Sequence, residues 1–103
     1  MTTARPEELP PDRARLDVWL WRARVVKTRA LAVRLVQSGH VRVNGQRITA
    51  AGRGVKAGDV LTIALESTVR VLRVADLGAR RGPADEALSL FTDLADGGGP
   101  DER

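Results

Sequence analysis

Residues 28–48 read TRALAVRLVQSGHVRVNGQRI, and within that stretch the hydrophobic rhythm changes once. Leu31, Ala32, Leu35 and Val36 recur at the spacing of one helical face, with Arg34 and Gln37 on the other side. Thr28 stands where an N-cap hydroxyl is wanted, and Gly39 where a helix ends in a left-handed residue. Beyond Gly39 the period drops to two. Val41-Arg42-Val43 alternates, Asn44-Gly45 supplies the positive φ angles of a tight hairpin, and Gln46-Arg47-Ile48 returns. A helix that gives way at once to a hairpin commits the chain to an α+β fold.

Upstream, Leu16, Trp19, Leu20 and Ala23 form a second helical stripe, predicting a helix over 16–24 with Arg22 and Arg24 off the stripe. Val25 and Val26 interrupt that pattern, so the two helices make a hairpin. Downstream, Gly52, Gly54 and Gly58 punctuate a loop over 49–58. Gly58-Asp59 turns into a strand at 60–65, and 68–74 is expected to pair with it. Gly82-Pro83 opens a closing helix over 84–94, on the stripe Ala87, Leu88, Phe91 and Leu94. The expected architecture is a two-helix hairpin packed on a small, mostly antiparallel sheet, with a short closing C-terminal helix. Prolines 6, 10 and 11 among charged residues mark 1–13 as a flexible arm, and ADGGGPDER at 95–103 as a flexible tail, leaving one domain at 14–94.

Charge is segregated. Eleven bases against one acid, Asp17, fall between Arg13 and Lys56, whereas the rest of the chain holds six bases and twelve acids. Such an asymmetry is the footprint of a polyanion partner. Fifteen of the seventeen bases are arginine, whose planar fork suits phosphates and base edges, although GC-rich coding also favours arginine. The absence of cysteine excludes disulfides and thiolate metal sites, and a single histidine, His40, excludes a multi-histidine site. No apolar run approaches the roughly 20 residues of a membrane span, and no signal-type segment opens the chain, so a cytoplasmic protein without a membrane role is expected.

Catalysis is hard to place. Ser38-Gly39-His40 reads as a helix ending without an oxyanion hole, Asp59 and Glu66 or Asp85 and Glu86 fall in turns or exposed helical positions, and Gly52-Arg53-Gly54 lacks the lysine of a phosphate loop. A binder without catalytic residue, metal or cofactor is expected. Trp19 belongs to the core stripe; Trp21 lies off it, suited to packing or to stacking on an unpaired base. Three aromatics are too few for an aromatic stacking platform, so phosphate, sugar and shape must carry recognition.

Arg15-Leu16-Asp17, Lys27-Thr28-Arg29, Gly39-His40-Val41, Val43-Asn44-Gly45 and Gly58-Asp59 together resemble, over about 14–65, the S4-type RNA-binding domain. That domain is named after a small-subunit ribosomal protein and also found in RNA-modifying enzymes. Asp17-Val18-Trp19-Leu20-Trp21 with Arg24, and Arg80-Arg81-Gly82-Pro83-Ala84 through Glu86-Ala87, extend the resemblance to the bacterial heat-shock-protein-15 family over about 14–94. The resemblance implies an alpha-L RNA-binding motif and a non-enzymatic, ribosome-associated protein of the heat shock response. It implies binding to structured ribosomal RNA on large subunits stalled with nascent chain-tRNA, aiding their recycling, with some non-specific DNA affinity; a free monomer is expected. Some relatives continue into a long basic tail where this sequence is acidic over 97–103.

Carried over by position, the RNA face comprises Arg15, Arg22, Arg24, Lys27, Thr28, Arg29, Arg34, Gln37, His40, Arg42 and Asn44. The N–H groups of the helix beginning at Thr28 can receive a phosphate, with Lys27 and Arg29 closing around it. Arg34 and Gln37 can reach a backbone or minor-groove edge, whereas Gly39 and Gly45 shape the backbone. Reversing the charge of Arg29 is expected to abolish binding and leave the fold intact. The rivals are a general RNA- or DNA-binding module, a detached partner of an RNA-modifying enzyme, and a basic face for an acidic protein or lipid.

Overall fold

A computed structural model describes residues 9–94; the rest of the expected arm, 1–8, and the tail, 95–103, lie outside the described residues. Strand β1 (Ala14–Arg15) runs directly into helix α1 (Leu16–Arg22). The first N–H groups of α1 have no helical acceptor. Here they find carbonyls in the glycine-punctuated loop: Leu16 donates to Arg53 at 2.8 Å and Asp17 to Ala51 at 3.0 Å. The same loop contributes β4 (Gly54–Val55), which pairs antiparallel with β1, Ala14 opposite Val55.

The stripe Leu16, Trp19, Leu20 and Ala23 is buried as its spacing requires. Helix α1 nevertheless stops two residues before the expected Arg24. Arg24 adopts φ 60°, its N–H donates to the Trp21 carbonyl, and the Val25 N–H reaches back to Leu20. This is a Schellman ending built on arginine rather than glycine. Helix α2 (Arg29–Gln37) starts at Thr28, whose Oγ1 accepts from the Leu31 N–H at 3.1 Å. It ends in the same motif with Gly39 at φ 81°, the Gly39 N–H donating to Val36 and the His40 N–H to Leu35. Of its four apolar residues, Ala32 and Val36 enter the core, Leu35 is half-buried, and Leu31 stays 40% exposed.

Five antiparallel strands form the main sheet in the order β3-β2-β5-β6-β7. They comprise β2 (Val41–Val43), β3 (Gln46–Ile48), β5 (Val60–Ala64), β6 (Val69–Val74) and β7 (Phe91–Asp93). Asn44 at φ 52° and Gly45 at φ 85° make the β2–β3 turn, the mirror-image geometry whose twist matches the strands. Val41, Val43, Ile48, Leu61, Ile63, Leu72 and Val74 face the helices. Each such side chain contributes roughly 1.5–3 kcal/mol by leaving water.

One expectation is corrected, the extent of the closing helix. Asp59, placed from sequence in a turn, directly follows one and is only 6% exposed. It accepts from the Asn44 amide at 3.1 Å, the Lys56 N–H at 3.0 Å and the Lys56 ammonium at 3.5 Å. Asn44 Oδ1 in turn accepts the Val60 N–H at 2.9 Å, so this pair clasps the hairpin to the β4–β5 turn. The closing helix over 84–94 does not form as one element. Helix α3 spans only Ala84–Ala87, a 3-10 turn follows at Leu88–Leu90, and Phe91–Asp93 is β7. The free edge of β6 offers backbone partners that a third helical turn lacks, and Val74 pairs with Phe91. Leu88 and Leu94, read as part of an apolar stripe, are 65% and 38% exposed.

The chain between β6 and α3 lies as a strap along α1. Trp19 Nε1 donates to Asp76 O at 2.9 Å, Arg22 to Gly78 O at 2.9 Å and Leu77 O at 3.3 Å, and Arg24 Nε to Gly82 O at 2.8 Å. In the opposite sense, Arg81 Nε donates to Trp21 O at 3.0 Å, with its guanidinium 5.9 Å over the Trp21 ring. Arg81 thus packs on one side of the Trp21 ring. No helix among the described residues is long and apolar enough to cross a membrane.

Candidate nucleic-acid interface

Leu31 turned out from the core, Leu35 half-buried at its edge, and the chain reversal at Arg24 leave a groove of about 790 Å³ between α2, the interhelical turn and the strap. Val25, Val26, Leu31 and Leu35 give it an apolar floor. Arg24, Lys27, Arg34, His40 and Arg81 surround that floor. Lys27 and Arg34 have no ion-pair partner among the described residues. Thr28 sits at the adjoining end of α2, its hydroxyl spent on Leu31. The N–H groups of Arg29 and Ala30, which no helical carbonyl serves, lie at this exposed end.

On the other flank of the α2 N-terminus, Arg13, Arg15, Arg22 and Arg29 line a second depression of about 280 Å³. Its organiser is Asp17, 1% exposed, which Arg15 meets with two hydrogen bonds of 3.0 Å. Arg29 Nη2 lies 3.9 Å from the same carboxylate. The expectation that Lys27 and Arg29 close around one anion therefore changes: they diverge, Lys27 to the groove and Arg29 to the Asp17 side.

Residues 14–61 match the S4 domain family. The chain is 38% identical over 90 residues to heat shock protein 15 of Escherichia coli, an alignment covering 87% of this chain and 67% of that protein. The chain belongs to the heat shock protein 15 family. A structure of Vibrio cholerae heat shock protein 15, described as trimeric, superposes with a TM-score of 0.76 at 34% identity, over 82% of this chain and 84% of that one. The S4 part is also similar to the small ribosomal subunit protein uS4 of Xanthobacter autotrophicus, 41% identical over 71 residues, 67% of this chain and 35% of that protein.

Within this family frame the eleven sequence-predicted positions separate into three groups. Arg24, Lys27, Arg34 and His40 converge on the groove, with Thr28 at its end, Gln37 exposed on the same helix and Arg29 across the helix start on the Asp17 side. Arg42 stands apart on the outer face of the sheet, directly opposite Arg47 and Thr62, its Nη1 3.4 Å from Gly45 O. Arg15, Arg22 and Asn44 are turned inward, to Asp17, to the strap carbonyls and to Asp59. Arg81 is the residue that the positional reading missed. It lies outside the S4 match, in the acidic half of the chain, and its only sequence signal is the Arg80-Arg81 pair before Gly82-Pro83.

Asp59 also has an electrostatic signature. Burial raises its pKa, but the hydrogen bonds from the Lys56 N–H and the Asn44 amide, with the Lys56 ammonium nearby, outweigh that and hold the carboxyl below its ordinary 3.8. The clasp is thus made with a carboxylate, not an acid.

Proposed function

We propose that the chain binds structured RNA without catalysis, presenting the groove and the α2 N-terminus to phosphates and exposed nucleotides. The observation that carries this reading is the convergence of Arg24, Lys27, Arg34 and His40, from separated positions, around one open groove. The S4 match over the helical hairpin supports it. Helix α2 adds the free N–H groups and positive dipole end that favour an anion. The finer proposal is that the RNA is ribosomal, on a large subunit stalled with a nascent chain on tRNA, where binding in the cytoplasm aids recycling during heat shock. Membership of the heat shock protein 15 family supports that assignment.

Sedimentation of the protein with large subunits, empty and loaded with nascent chain-tRNA, across a salt series tests both levels. Each phosphate contact should contribute about 0.7–0.9 to the slope of log affinity against log salt. Tighter, salt-sensitive binding to loaded subunits is the expected result. Equal weak binding to both leaves only the coarser RNA-binding reading, and no binding to any RNA at low salt removes it. Duplex DNA is the necessary control, because phosphate contacts alone do not tell the two apart.

Reversing Lys27 is a cleaner charge probe than reversing Arg29, since a carboxylate at 29 would face the buried Asp17 and confound binding with folding. Lys27→Glu is expected to remove binding at moderate salt while leaving the melting temperature within a few degrees. The expectation of a free monomer meets a relative solved as a trimer, and light scattering of the free chain decides between them.

A further inference from the structure

We propose that the groove captures an unpaired nucleotide, its base lying on the Leu31 floor against the Arg81 guanidinium and its phosphates on the Lys27–Arg34 rim. This rests on the RNA-binding reading and deepens it, because it distinguishes a bulged or single-stranded element from a plain duplex.

Leu31 is 40% exposed at the open end of a helix face whose neighbours Ala32 and Val36 are fully buried. With Val25, Val26 and Leu35 it forms an apolar floor that nothing in the described fold covers. At about 790 Å³ the groove falls within the roughly 300–1,000 Å³ typical of small-ligand sites. A ligand that fits must bring an apolar face and negative charge together. A paired helix buries its base faces and offers only phosphates, whereas an unstacked nucleotide offers both.

Arg81 gives the groove its base-stacking element. Its guanidinium is held by the hydrogen bond to Trp21 O and by its position over the Trp21 ring, so it is ordered before any ligand arrives. Neither of its terminal nitrogens has an acceptor among the described residues. A planar cation fixed in this way, at the edge of an apolar floor, is a platform on which an unpaired base stacks. Pre-ordering matters because a free arginine would lose rotamer freedom on binding. The strap outside the S4 match thus contributes directly to recognition.

The test compares two RNA hairpins of equal length, one fully paired and one with a single 2-aminopurine bulge, each titrated with the full chain. The wild-type protein should prefer the bulged hairpin by about tenfold, within the range that stacking one base contributes, and should change the 2-aminopurine emission. Leu31→Ser should lose most of that preference while binding the paired hairpin within about threefold of wild type, and Arg81→Gln should lose the preference while also weakening binding to both hairpins. Melting curves of both variants check that the fold persists; Leu31→Ser, at a half-exposed position, carries the test if Arg81→Gln weakens the strap. Equal binding of both hairpins with unchanged emission overturns the groove assignment and leaves RNA binding standing. Binding of an acidic, leucine-bearing peptide that Leu31→Ser abolishes, without any bulge preference, overturns it in favour of a protein partner. Failure of both hairpins to bind at low salt overturns the underlying reading itself.

Discussion

Replacing Asp17 by asparagine perturbs the one acid inside the basic half of the chain. The carboxylate is 1% exposed and receives two 3.0 Å bonds from Arg15. Asparagine preserves the shape but sets an NH₂ group against one of the guanidinium donors. One charge-assisted bond is lost and the other keeps its cationic donor but loses the anionic acceptor. At about 1.5–3 kcal/mol for a bond to a charged group, that removes roughly 2–4 kcal/mol. Breaking a buried pair costs about 3–5 kcal/mol, but the Arg15 side chain keeps 25% of its surface exposed, and water recovers part of the loss. The acid also sits in the first turn of α1, where the helix dipole favours it by about 0.3–1 kcal/mol. The expected total is close to 3 kcal/mol, equivalent to a fall of about 12–24 °C in Tm for a domain of this size. Urea unfolding at pH 7, followed by far-UV circular dichroism, measures it as a shift in midpoint at constant slope. A loss below about 1 kcal/mol refutes the reasoning, because it means that Arg15 is satisfied without the carboxylate. The double variant Arg15→Met/Asp17→Leu should recover at least half of the loss, since the only charge it leaves unpaired, Arg29, is half-exposed to water.

Two further outcomes follow from the same geometry. Arg24→Gly removes the positive-φ strain of about 1 kcal/mol along with the bond to Gly82, so Tm should stay within a few degrees. The same change should weaken RNA binding and reduce the salt slope by about one contact; a Tm drop beyond about 8 °C is inconsistent with it. Asp59, with its folded pKa below the ordinary 3.8, contributes stability that is present above that value and disappears as pH falls through the lower folded value. Between pH 5 and pH 2 the wild type should therefore lose more stability than Asp59→Asn, as read by urea midpoints at each pH; parallel loss in both proteins contradicts the clasp.

Much of the fold is legible in the sequence because local chemistry and tertiary packing agree there. Thr28, Gly39 and Asn44-Gly45 each announce a backbone geometry that the structure adopts without competition. Agreement fails where an alternative partner intervenes. Ala87, Leu88, Phe91 and Leu94 do make a helical stripe, but the open edge of β6 recruits Phe91–Asp93 into the sheet. Helix α1 ends early because Arg24 accepts a conformation that sequence patterns assign to glycine. For the candidate site, charge density points to the helical hairpin, yet it could not divide arginines by task. Arg22 and Arg24 are two residues apart and look alike in sequence. Both donate to strap carbonyls, but Arg22 is taken up by the fold whereas Arg24 also edges the groove. What separates them is where carbonyls from residues 77–82 arrive, and nothing within α1 records that.

The strap has a kinetic consequence. Trp19 and Trp21 are the only tryptophans in the chain, which has no tyrosine, and both are bonded to the strap across separations of 57 and 60 residues. Closing loops of that length costs more chain entropy than forming either local hairpin. Intrinsic fluorescence in a refolding experiment therefore follows the burial of Trp19 in the core together with the docking of the strap on both tryptophans, and its last phase is expected to date that docking. The chain carries its own optical reporter for the closing step of assembly, with no label required.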